Sequence, residues 1–133
     1  MTRQTFQEGL VLEREAGLAK LTIDRPDDAN RLSPDVFTRL AALCDALRED
    51  REINVLVITG AGALFSMGIL NPAIRASFSK DEVVQLVRRA NLVFDAIESL
   101  PQVVIAAING KVLTLSAPVT YDHDGARDLD PLL

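Results

Sequence analysis

The chain has 133 residues, 48% of them apolar and 25% charged, the composition of one folded domain and not of a disordered segment. Nineteen acidic residues against fourteen basic ones leave a net charge of −5, which argues against nucleic acid and anionic membranes as partners. Single acidic metabolites stay compatible, since one helix N-terminus can bind an anion on an acidic protein. No apolar stretch approaches the ~20 residues of a membrane helix, and the start, Met1-Thr2-Arg3-Gln4-Thr5, lacks the apolar run of a secretory signal. Cys44 is the only cysteine, so no internal disulfide forms; the expected location is the reducing cytoplasm.

Residues Leu10 to Glu13 read as a strand, and Glu15-Ala16-Gly17 as a turn. Leu18 to Asp24 follows as a second strand of a hairpin, with Leu21 and Ile23 on one face. Pro26 ends it. Ser33-Pro34 marks a helix start. Val36, Phe37, Leu40, Leu43, Cys44 and Leu47 then recur at three- and four-residue spacing, predicting one apolar stripe on a helix ending near Arg51. Val55 to Thr59 is a β-branched run, predicted to be a strand buried on both faces. Gly60 to Gly68 holds three of the seven glycines and reads as a loop. Ser79 and Glu82 have the spacing of a capping box. The helix behind them carries Val83, Leu86, Val87, Ala90, Val93, Phe94 and Ile97 on one side and stops before Pro101. Val103 to Ile108 predicts another strand buried on both faces, closed by Asn109-Gly110. The order β-β-α-β, loop, α-β is that of an α/β protein. Residues 1–110 form the expected core; 111–133 read as a diverged segment with a polar, aspartate-rich tail.

Thr59-Gly60-Ala61-Gly62 directly after a strand invites a dinucleotide-binding interpretation. That motif runs straight into a helix, whereas Leu64-Phe65-Ser66-Met67-Gly68 follows here and no helix signal occurs before Ser79. A short-chain dehydrogenase would carry a lysine four residues after its tyrosine; Tyr121 is the only tyrosine and Gly125 stands at that place. Phe65 to Ile69 fits either a plain turn or a backbone oxyanion site, in which amide N–H groups converge without side-chain interference. His123, between Asp122 and Asp124, fits an exposed tail residue, an acid/base pair or a metal ligand, but no further ligands occur at usable spacing, and no metal site is expected. Cys44 lies on an apolar stripe and reads as core. There is no Gly-x-Ser-x-Gly elbow and no P-loop lysine.

Several segments jointly resemble the crotonase (enoyl-CoA hydratase/isomerase) family: Leu21 to Pro26 with Asn30 and Leu32-Ser33; Val55 to Gly62 followed by Phe65-Ser66-Met67-Gly68; and Leu100 to Gly110. The resemblance implies a spiral of ββα units, incomplete here and without the family's C-terminal helical region. It implies an acyl-CoA thioester substrate, with coenzyme A entering as part of that substrate and no separate cofactor. It also implies a homo-oligomer, a trimer or a dimer of trimers. In the family two backbone amides hold the thioester oxygen as an enolate develops. The resemblance puts the first on Ile69, after Gly68. Arg25, Pro26 and Asn30 fall in the loop that helps hold the CoA nucleotide, and Phe65 and Met67 flank the oxyanion segment as substrate-binding residues.

The sequence departs from the family after these motifs. Ile69-Leu70 replaces Ala-Asp-Leu. The Gly-rich stretch that supplies the second amide falls on Thr114-Leu115-Ser116, with Leu115 as its donor. The first hydratase glutamate falls on Pro118, and the second lies beyond Leu133. Asp122, His123 and Asp124 are the remaining candidates for proton transfer. Three expectations stay open: a hydratase/isomerase relative, a non-catalytic acyl-CoA-binding or interaction module, and a truncated inactive fragment. Whether the chain is an enzyme is open with them.

Overall fold

The computed structural model describes residues 1–69 and 71–112. Strand β1 (Thr2–Phe6) pairs antiparallel with β2 (Leu10–Glu15), and β2 with β3 (Leu18–Ile23). The β2–β3 turn needs left-handed backbone at Ala16 and Gly17. A single 3-10 turn (Pro26–Asp28) leads to helix α1 (Pro34–Glu49). Strand β4 (Val55–Gly60) lies parallel to β3, and β6 (Val103–Ala107) parallel to β4, completing one sheet in the order β1-β2-β3-β4-β6. Between them come β5 (Leu64–Ser66), α2 (Pro72–Arg75) and α3 (Lys80–Glu98). Strand β7 (Lys111–Val112) pairs parallel with β5 in a second, two-stranded sheet. After the β1–β3 meander and α1, β4 enters the large sheet and β5 the small one before the chain returns through α3, and β6 and β7 repeat the division. This is the ββα spiral, and β7 continues it two residues past Gly110.

Helix α1 begins at Pro34 as the serine–proline pair predicts, although the Ser33 side chain makes no capping hydrogen bond. All six residues of its predicted stripe are buried, against Leu10, Leu12, Leu21, Ile23 and Leu56 of the sheet. The capping box of α3 forms in full: Glu82 N–H donates to Ser79 Oγ at 3.1 Å, and Ser79 N–H to Glu82 Oε1 at 3.0 Å.

Four expectations change. β1 has no apolar alternation to announce it; four of its five residues are exposed, and pairing with β2 alone makes it a strand. The Gly60–Gly68 loop contains a strand, β5, stabilised by β7 from far along the chain. The stripe of α3 is narrower than its spacing suggests, with Leu86, Ala90 and Val93 buried and Val87 and Phe94 at the exposed margin. Finally, neither β4 nor β6 is buried on both faces. In β4 Leu56 and Gly60 are buried but Val55, Val57, Ile58 and Thr59 only half-buried. In β6 Val104 packs against the core, while Val103, Ile105 and Ala107 on the opposite face are exposed. Among the described residues β6 is the sheet edge, and nothing described covers that face.

Candidate functional site

The site is built around the turn from Gly60 to Leu64, between β4 and β5. Asn30, 2% exposed and in left-handed conformation (φ 56°), sends its amide into this turn. Its Nδ2 donates to Ala61 O at 3.1 Å and Leu64 O at 2.9 Å, and its Oδ1 accepts from Arg25 N–H at 2.8 Å. Asn109 reaches the same turn from the end of β6. Its Oδ1 accepts from Gly60 N–H at 3.0 Å, and its Nδ2 donates to Gly62 O at 2.9 Å and Leu64 O at 3.2 Å. Gly110 follows against Ala63 so closely that a Cβ there would overlap the Ala63 carbonyl; only glycine permits this approach.

From the turn, β5 leads to the predicted oxyanion segment. Gly68 has φ +105°, a conformation that a side chain disfavours. Its carbonyl accepts from Leu32 N–H at 2.9 Å, Met67 N–H donates to Ala29 O at 3.2 Å, and Gly68 N–H donates to Ser66 Oγ at 3.3 Å. The loop from Arg25 to Leu32 and the segment from Ala61 to Gly68 are therefore tied by backbone and side-chain bonds along their length. Ile69 is buried, and among the described residues no group accepts its backbone N–H.

The remaining candidates separate by what their side chains touch. The Arg25 guanidinium is engaged within the protein, donating to Arg31 O at 2.7 Å, Glu8 O at 2.6 Å and Asp28 Oδ2 at 3.2 Å. Both amide donors of Asn30 are occupied by carbonyls of the turn, so its side chain fastens the turn. Pro26 is exposed beside them, and Phe65 and Met67 are half-buried on either side of Ser66. Leu115, Pro118, Asp122, His123 and Asp124 lie outside the described residues. Sequence reasoning placed Asn109 in a motif but not in the site; the signal was an Asn-Gly pair directly after a strand, with a side chain able to reach back to that strand's neighbour.

Electrostatics add little at this point. Burial pushes the Cys44 thiol up from its ordinary value, which suits a core residue and not a nucleophile. The hydrogen bond from Arg39 holds the Glu8 carboxyl below its ordinary value, and the pair braces the loop next to Arg25 at 3.0 Å. Among the described residues no three metal-ligating side chains gather, and no helix is long and apolar enough to cross a membrane.

A parallel spiral of ββα units with a glycine-hinged amide after β5 defines a crotonase-type fold. The family model for enoyl-CoA hydratase/isomerase matches residues 13–115, and the chain belongs to that family. A crotonyl-CoA hydratase of Syntrophomonas wolfei subsp. wolfei is 32% identical over 106 residues, 80% of this chain and 41% of the relative. The enoyl-CoA hydratase of Bacillus anthracis superposes with a TM-score of 0.73 at 29% identity, covering 77% of this chain and 40% of that one. DspI of Pseudomonas aeruginosa superposes with a TM-score of 0.74 at 32% identity, covering 82% and 41%. The chain spans about two fifths of the length of the relatives it matches.

Proposed function

We propose that this chain binds an acyl-CoA thioester and holds the thioester oxygen with the backbone N–H groups of Ile69 and Leu115. The observation that carries this is the pairing of β5 with β7, in which Ser66 faces Val112. Ile69 lies three residues beyond Ser66, and Leu115 three residues beyond Val112. The two strands pair in parallel with a register shift between Leu64 and Ser66, and the Ile69 N–H has no acceptor among the described residues; the family resemblance assigns the second amide to Leu115. Electron density builds on the thioester oxygen as an enolate forms, so donors fixed in advance favour that state over the ground state. The Arg25–Asn30 loop, tied to the same segment, would flank the CoA moiety, with the exposed Pro26 and the half-buried Phe65 and Met67 offering contact surface. A crotonyl-CoA hydratase relative makes short enoyl-CoA thioesters the first substrates to test. Pro118 stands where the family resemblance puts the first glutamate, so hydration by this chain is expected to be slower than the family norm by about 10²–10⁴, the usual contribution of one acid/base group.

The test is Gly68→Pro. Proline fixes φ near −65° where Gly68 has +105°, and so redirects the Ile69 amide. Crotonyl-CoA affinity, measured by calorimetry, is expected to vanish in a Gly68→Pro protein that keeps its circular dichroism. Asp122→Asn is expected to bind as the parent does. A folded Gly68→Pro protein with parental affinity refutes the assignment of Ile69.

A further inference from the structure

We propose that Asn30 and Asn109 are paired positioning residues, which together fix the Ala61–Leu64 turn and thereby the placement of the thioester-binding amide of Ile69. The inference rests on the function proposed above. The two residues come from distant parts of the chain and converge on one acceptor. Leu64 O accepts from Asn30 Nδ2 at 2.9 Å and from Asn109 Nδ2 at 3.2 Å, which fills both of its lone pairs. The other donors take Ala61 O and Gly62 O, so three carbonyls of one short turn are held by two amide groups. Leu64 is the first residue of β5, which leads to Ile69. Asn109 precedes Gly110 and β7, the strand that pairs with β5. The bond between Asn109 and Leu64 therefore ties the head of the strand that leads to Ile69 to the head of its partner. Asn30 adds the loop that also meets Met67 N–H and Gly68 O through Ala29 and Leu32.

Burial separates positioning from folding. Asn30 is 2% exposed, so its loss orphans buried carbonyls and destabilises the whole protein. Asn109 is exposed; water replaces its bonds after truncation, and stability changes little. What changes is the alignment of β5 with β7. Loss of Asn109 should consequently reach the bound thioester while leaving the fold intact.

The probe is hexadienoyl-CoA, a conjugated thioester whose absorption moves to longer wavelength as hydrogen bonds polarise its carbonyl. The parent protein is expected to bind it with such a shift. Asn109→Ala is expected to keep parental circular dichroism and a cooperative melt, to bind within several-fold of the parent, and to lose roughly half of the shift or more, as when one of two oxyanion donors is misplaced. Asn109→Asp keeps the acceptor for Gly60 N–H but lacks both donors, and is expected to match Asn109→Ala; it carries the test if the alanine variant does not fold. A folded Asn109 variant with the full parental shift overturns the positioning role and leaves the thioester reading standing. A parent that binds without any shift, or does not bind, overturns both.

Discussion

Strands β4 and β6 run side by side in parallel register, Leu56 against Val104 and Val57 against Ile105, yet they lie in different surroundings. β4 has β3 on one flank and β6 on the other; Leu56 is 1% exposed and sits in the core with Phe37 and Leu47. β6 has a described neighbour on one flank only, and Val103 and Ile105 are 62% and 47% exposed. Both are short β-branched runs. The difference shows that burial of such a run is decided by its place in the sheet and by what lies over each face, neither of which is written in the run itself.

The largest expected effect probes the closed side. Leu56→Ala removes a fully buried side chain from between the sheet and α1, and should destabilise the protein by about 2–5 kcal/mol in denaturant unfolding. On the opposite face, in register with the half-buried Val57, Ile105→Ala should cost well under that, since a half-exposed side chain has less contact to lose. Equal costs at the two positions would mean that the outer face of β6 is covered in solution, and the contrast between the strands would collapse.

Self-association offers a sharper version of the same contrast. Among the described residues Val103 and Ile105 leave the outer face of β6 apolar and exposed; exposed apolar patches mark interfaces or aggregation liabilities. We propose that this face mediates association between copies of the chain. Ile105→Lys should then lower the weight-average mass in sedimentation over a concentration series, with unfolding free energy within about 0.5 kcal/mol of the parent, as for most surface changes. A parent that is monomeric throughout the series would remove the idea.

Much of the fold was legible because local signals and the fold agreed. The Ser33-Pro34 start, the full stripe of α1 and the Ser79–Glu82 capping box all act within one element. Strands β5 and β7 escaped because each has its partner far along the chain; β1 pairs with its neighbour β2 but shows no apolar alternation of its own. The site divided in the same way. Gly68 was legible because a left-handed glycine has a local cause. The engagement of Arg25 and Asn30 with backbone carbonyls was not, because an asparagine that touches a ligand and one that clamps a turn are the same letter; only the carbonyls of residues 61 and 64 tell them apart.

The smallest expected effect concerns the N-terminus of α3, the helix that packs against α1. The Glu82 carboxylate accepts the Ser79 N–H, and this bond, followed by that from the Ser79 side chain, holds its carboxyl below the ordinary 4.5. A carboxyl lowered in the folded state stabilises the fold above its unfolded value, and the stabilisation is lost as pH falls through the folded value. Glu82→Gln keeps an acceptor at the capping-box position but removes the charge, so comparison with the parent isolates the ionised contribution. The Glu8 carboxyl, also held low, titrates alike in both proteins and cancels. The melting temperature of the parent should therefore exceed that of Glu82→Gln slightly at pH 7, and the two should converge as pH is lowered below about 4.5, since a protonated glutamate offers no more than the amide does. Because Glu82 is exposed to solvent, the gap should also narrow with added salt at pH 7. A gap that persists or widens in acid would show that the cap acts through shape alone, with no part for the charge.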